Sequence, residues 1–114
     1  MAARRGEIWR TSFDPVVGRE QSGDRPALIV SDDGMNNSAA GLVIVVPLTR
    51  TRRASPSRVE IEPPEGGVRA RSYAMCEQVR SISVERLRDG PWGPPISPAL
   101  MAEVDRRLRL LLHL

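Results

Sequence analysis

No lysine occurs among the 114 residues; all 17 basic side chains are arginine, set against 14 acidic ones. That absence excludes Schiff-base chemistry, a lysine general base and a phosphate loop of the Walker A kind, each of which needs the amine. One histidine, His113, and one cysteine, Cys76, are present. Paired-histidine catalysis and an intramolecular disulfide are therefore excluded, and a histidine–cysteine zinc site lacks ligands. Cys76 has Ala74, Met75 and Val79 as neighbours and no histidine nearby, so it reads as a buried structural thiol. Aromatics number four, too few for the stacking surface that non-specific single-strand binders use. The longest apolar run, residues 42–46, is far too short to span a bilayer. No apolar region follows the basic Arg4-Arg5 pair, which is not the pattern of a secretory signal. An intracellular, reducing location with no membrane attachment is the expectation.

What is present is turn-rich and basic. Glycine and proline number 9 and 10, and the formal charge is +3 with a pI near 10.3. The length suits one compact domain over residues 1–114 with a modest core. Arginine in place of lysine fits a GC-rich coding sequence, but composition does not explain where the arginines fall. Arg50, Arg52, Arg53 and Arg58 lie between Pro47 and Val59 with no acid among them, Arg69 and Arg71 share a later loop, and Arg80 follows. Such loops are commonly solvated surface. Gathered on one face, their planar guanidinium forks would suit the phosphates of a nucleic acid.

Periodicity supplies the elements. Residues 7–13 alternate as a strand, with Trp9, Thr11 and Phe13 on one side. A polar loop opens at Asp14-Pro15, and Pro26 biases Arg25 to an extended backbone. Residues 27–31 read as a short buried strand, 35–41 as a loop, and 42–46 as a central strand stopped by Pro47. Residues 59–62 alternate as an edge strand, and Glu65-Gly66-Gly67 is a turn. Residues 72–82 read as a strand with an irregularity near Glu77; 83–87 form a helical turn in a turn-rich passage to Pro95. Ser97-Pro98 starts a helix, serine as cap and proline in the first turn. Leu100, Val104, Leu108 and Leu111 then repeat on one face. Five or so strands and one terminal amphipathic helix predict a mainly β fold, a small bent antiparallel barrel with the helix packed on it.

Three segments in order carry a family resemblance. The first is Arg5-Gly6-Glu7-Ile8-Trp9 with Phe13-Asp14-Pro15, Gly18-Arg19-Glu20-Gln21 and Arg25-Pro26-Ala27-Leu28-Ile29-Val30-Ser31. The second is Val45-Val46-Pro47-Leu48-Thr49, and the third Glu77-Gln78-Val79-Arg80-Ser81-Ile82. Together they resemble the MazF/PemK family of bacterial toxin endoribonucleases over nearly the whole chain. The resemblance implies an SH3-like barrel of the CcdB/PemK type, a homodimer, and a bacterial cytoplasmic toxin neutralised by a MazE-like antitoxin with an acidic tail. It implies metal-independent, cofactor-free cleavage of single-stranded mRNA at short sequences by the RNA's own 2′-hydroxyl, leaving 2′,3′-cyclic phosphate and 5′-hydroxyl ends. The catalytic arginine and threonine of the family fall on Arg25 and Thr49, and its loop glutamate on Glu20. Gln78 falls on a strand glutamine near the site. Arg19, Arg50, Arg52, Arg53 and Arg80 are the further RNA-binding candidates.

The residue types suit that chemistry on their own terms. Internal attack needs a deprotonated 2′-hydroxyl, an offset for charge on the phosphorane, and a protonated 5′-oxygen. Arginine is the cation left to offset that charge, and a threonine hydroxyl can donate to a nonbridging oxygen. Either Glu20 or Arg25 could move the protons, although arginine, with a pKa above ~12, is a poor base. Plainer readings stand beside these: Arg25 as a strand-edge arginine paired with Asp24 or Asp14, Thr49 as a turn threonine, Gln78 as a backbone partner, Trp9 as core. Two other functions share the fold, a CcdB-like toxin that binds DNA gyrase without catalysis and a non-catalytic SH3-like RNA-binding module. The gyrase binder has no use for the Arg25–Thr49 pair, and the RNA-binding module would bind RNA with strong salt dependence yet leave it intact.

Overall fold

In the computed structural model, which describes residues 2–13 and 23–114, seven strands form one antiparallel sheet. They are β1 (Ile8–Ser12), β2 (Asp24–Ile29), β3 (Leu42–Thr49), β4 (Arg58–Ile61), β5 (Ser72–Met75), β6 (Arg80–Ser83) and β7 (Leu87–Pro91). Two helices accompany them, the four-residue α1 (Asp33–Asn36) and the fifteen-residue α2 (Pro98–Leu112). The strand order is β4-β5-β3-β2-β1-β7, with β6 also on β3. Among the described residues no ladder joins β7 to β4, so the architecture is an open sheet with a terminal helix and not a closed barrel.

Both faces of this sheet are apolar, because successive side chains in a strand point to opposite sides. Ile8, Leu28, Val46, Leu48 and Ile61 face α2, where Met101 and Val104 complete the main core. Trp9, Phe13, Ala27, Ile29, Val43 and Val45 form a second cluster. Val104 is fully buried, a transfer worth about 2 kcal/mol. The helical stripe expected through Leu111 stays on the core as far as Leu108; Leu111 is 45% exposed, beyond the packed part of the sheet.

The start of α2 follows the local signals. Ser97 Oγ accepts from the Leu100 amide at 3.3 Å, and Glu65 receives both the Ser97 amide and its hydroxyl, at 2.8 and 2.9 Å. His113 closes the other end in the left-handed conformation, φ 58°. The irregularity near Glu77 is a 3-10 turn, Cys76–Gln78, that divides β5 from β6. The helical turn within 83–87 is Val84–Arg86.

Several boundaries differ from the sequence reading, each for a reason of pairing. Pro47 does not stop β3, which runs to Thr49. Along one edge β3 pairs with β6 up to Val45 and with β5 from Leu48, so the proline that lacks an N–H sits at the hand-over between neighbours. β2 starts at Asp24 and not at residue 27, because β1 supplies partners for the added residues, Thr11 for Arg25 and Ser12 for Asp24. β7 lies in the passage read as turns. Its residues, Leu-Arg-Asp-Gly-Pro, carry no strand pattern, and the free edge of β1 recruits them. The loop read at 35–41 starts late, since Met35 and Asn36 still belong to α1, which is capped by Asp32, whose Oδ2 accepts from the Gly34 amide at 2.8 Å.

Candidate active site

Arg25 and Thr49 arrive from neighbouring strands. Ala27 of β2 is the register partner of Pro47 of β3. Carried two residues further, that register sets Arg25 opposite Thr49, where the two strands part. Both line a cavity of about 430 Å³, shared with Arg50, Arg69, Ser72 and Trp92. Arg25 is half-buried, held in line by Pro26 after it and by Thr11 of β1 beside it. The Thr49 hydroxyl accepts from the Thr51 amide at 3.2 Å. Its proton is left to donate into the cavity, since a hydroxyl can accept and donate at once.

The electrostatics of this cavity are positive. Asp24 also lines it, but its carboxylate is taken by Arg10 at 2.8 Å. The pairing of Asp24 read for Arg25 thus goes to Arg10 instead. Arg50 and Arg69 have no carboxylate within ion-pair distance among the described residues. Other arginines of the sequence clusters are occupied. Arg58 meets Glu77 at 3.3 Å and is nearly buried. Arg71 lies 2.5 Å from Glu62 and 3.8 Å from Glu60, and the hydrogen bond and charge of Glu62 push its pKa up. Carboxylates from neighbouring segments therefore remove both from the pool available to an anion.

The remaining candidates divide. Arg52 and Arg53 are exposed in the loop after β3 and do not line the cavity. Gln78 and Arg80 pair with each other, Arg80 Nη2 donating to Gln78 Oε1 at 3.2 Å. The Arg80 guanidinium lies over the Phe13 ring, 4.9 Å from its centroid, along a different depression bounded by Ser81 and Arg86. The sequence reading placed Gln78 beside the site, whereas within this chain neither it nor Arg80 lines the Arg25–Thr49 cavity. Arg19 and Glu20 lie outside the described residues. Arg69 and Trp92 are cavity residues that the motifs did not single out. Trp92 follows a strand with no pattern, so only exposure reveals it.

Cys76 is fully buried, and burial first, then the charge of Glu77, pushes its thiol up to about 11. A nucleophile needs the opposite shift. Among the described residues no three His, Cys, Asp or Glu side chains cluster as metal ligands, and no helix is long and apolar enough to cross a membrane.

Known proteins match this chain along nearly its whole length. Endoribonuclease MazF9 of Mycobacterium tuberculosis is 39% identical, with 97% of each chain covered. Endoribonuclease EndoA of Bacillus subtilis is 30% identical over all of this chain and 97% of its own. Among solved structures, MazF from Deinococcus radiodurans superposes with a TM-score of 0.87 at 25% identity, covering 100% of this chain and 99% of that one. A mycobacterial endoribonuclease in complex with its cognate antitoxin superposes at 0.81, with 27% identity, 99% of this chain and 97% of that one. The profile described as PemK-like, MazF-like toxin of type II toxin-antitoxin system matches residues 4–112. Sequence, fold and family profile thus converge over the same span, and the chain belongs to the PemK/MazF toxin family.

Proposed function

We propose that this endoribonuclease of the MazF type cuts single-stranded RNA at short sequences by internal attack. The 2′-oxygen bonds to phosphorus, the P–O5′ bond breaks, the 2′ proton leaves and the 5′-oxygen gains one. The products are a 2′,3′-cyclic phosphate and a 5′-hydroxyl. The observation that carries this reading is that Arg25 and Thr49, just past the Ala27–Pro47 pair of adjacent strands, line one cationic cavity. The Arg25 guanidinium offsets charge on the nonbridging oxygens as it develops, and the Thr49 hydroxyl donates to one of them. A guanidinium supplies the positive charge a metal would otherwise bring, so the reaction proceeds in a chelator. Glu20 or Arg25 moves the protons.

The chain acts as a homodimer in the bacterial cytoplasm. The support is the leucine-rich end of α2, where Leu110, Leu111, Leu112 and Leu114 are 69, 45, 55 and 85% exposed, more than a monomer comfortably shows to water. An acidic antitoxin tail covers the cationic cavity, since a site built for phosphates also attracts carboxylates. Single-turnover cleavage of RNA in EDTA tests the reading. Arg25→Ala should lose roughly a hundredfold or more in rate, and Thr49→Val a smaller factor with the fold intact. Parent-like cleavage by both variants at saturating RNA refutes it.

A further inference from the structure

Of the four aromatic side chains, Trp9, Phe13 and Tyr73 are 7, 2 and 8% exposed, whereas Trp92 is 43% exposed. Trp92 lines the Arg25–Thr49 cavity and also an adjoining one of about 320 Å³ bounded by Arg50, Gly67 and Arg69. The backbone that carries it is fixed. Its amide donates to the Ile8 carbonyl at 2.9 Å, and the next residue, Gly93, packs against Gly67. A Cβ built on Gly93 would stand 3.1 Å from the Gly67 Cα, and one built on Gly67 would stand 2.5 Å from the Trp92 carbonyl oxygen. Two glycine-bearing segments thus press together and leave the indole at the mouth of the cavity.

This indole, 43% exposed, lines the cavity with Arg50 and Arg69, two arginines without carboxylate partners among the described residues. We infer that Trp92 is a base-stacking platform for one nucleotide next to the cleaved phosphodiester, with Arg50 and Arg69 holding the phosphates on either side. This rests on the RNA-cleaving reading and deepens it: Arg25 and Thr49 address the reacting phosphate, and Trp92 addresses a neighbouring base. Stacking accepts any base through its π-face, so Trp92 sets affinity and purine-over-pyrimidine preference without hydrogen-bond readout. Because its backbone is pinned, little freedom is lost on binding. The flat stacking surface that four aromatics could not supply is unnecessary for a single base.

Fluorescence titration tests this directly, since Trp9 is buried and Trp92 is the indole open to a ligand. The probes are a mixed-sequence 2′-O-methyl RNA 12-mer, which lacks the nucleophile and stays intact, an abasic backbone of equal length, and a polyglutamate peptide. The 12-mer should quench parent emission and the abasic strand should not. Read by fluorescence anisotropy of end-labelled strands, Trp92→Ala should weaken the 12-mer about tenfold and leave abasic affinity alone, while Trp92→Phe retains most of the affinity. Equal 12-mer affinity for the parent and Trp92→Ala overturns the inference, and so does quenching by polyglutamate without quenching by RNA, which would make Trp92 a protein-docking residue. Failure of the parent to bind the 12-mer at all is a different result and overturns the RNA reading itself. Melting curves of each variant confirm that the fold is kept.

Discussion

Replacing Gly67 by alanine separates two costs that usually arrive together. Gly67 has φ +90° and meets the Trp92 carbonyl; Gly41 has φ +68° and nothing within 4 Å of a would-be Cβ. An alanine at Gly41 therefore bears only the penalty of a left-handed backbone, about 1–2 kcal/mol. At Gly67 the same penalty is joined by a methyl 2.5 Å from the Trp92 oxygen and 2.9 Å from the Gly93 nitrogen. Backbone atoms cannot swing aside as a flexible side chain can, and forced overpacking of this kind costs about 1–3 kcal/mol more. The expected totals are about 1–2 kcal/mol for Gly41→Ala and about 2–5 kcal/mol for Gly67→Ala. A domain of this size loses roughly 3–6 °C of melting temperature per kcal/mol. Thermal melts at one fixed protein concentration, so that any dimer contributes equally, should rank the parent, Gly41→Ala and Gly67→Ala in that order. Trp92 emission should shift in the Gly67 variant alone. Melting temperatures for the two variants within about 2 °C of each other would refute the argument that the Gly67–Trp92 contact is rigid.

Three further expectations concern the rest of the molecule. Arg5 Nη2 reaches both carboxylate oxygens of Asp105 at 2.5 Å and the same guanidinium donates to the Val30 carbonyl, tying α2 to the sheet. A double-mutant cycle of Arg5→Met and Asp105→Asn in urea should give a coupling of about 1 kcal/mol, and strict additivity would contradict the tie. Cys76 titrates at 9.0 when unfolded and at about 11 in the fold. The folded state thus holds its proton longer, and the stabilisation present below pH 9 is lost as pH rises towards 11. Melting temperature should fall over that interval more steeply in the parent than in Cys76→Ala, and parallel curves would count against it. Arg52→Ala, in the exposed loop, should weaken RNA binding and lower the slope of log affinity against log salt by about one. An unchanged slope removes Arg52 from the interface.

Where the sequence was readable, the information was local. Ser97-Pro98 announces α2 because a cap and a first-turn proline act within one turn of chain, and Glu77 marks an interruption because polar residues break the alternation there. Pro47 misled because a proline ends a strand only if its N–H was wanted, and that depends on which neighbour, β6 or β5, lies alongside. β7 was invisible for the same reason: Leu-Arg-Asp-Gly-Pro is a strand only in the company of β1. At the site, motif residues Arg25 and Thr49 were legible and do share one cavity. The charge clusters were legible as charge but not as availability, since Glu77, in the turn after β5, and Glu62, just past β4, reach Arg58 and Arg71 from elsewhere in the chain. Trp92 could not be picked out, because solvent exposure is a property of the assembled fold.

The joining of β1 to the last third of the chain bears on the order in which the fold is completed. Ile8 accepts from Trp92, Gly6 from Ile96, and Arg5 from this first segment grips Asp105, 100 residues away. Contacts of such long range form late, because the chain must lose the entropy of a large loop before they return anything. A ribosome delivers β1, β2 and β3 with Arg25 and Thr49 well before it delivers Trp92 or α2. The nascent chain therefore carries Arg25 and Thr49 on an unfinished wall, with the edge of β1 still open. The wall that holds Arg25 and Thr49 is thus complete only once the segment from Trp92 to Asp105 has joined β1.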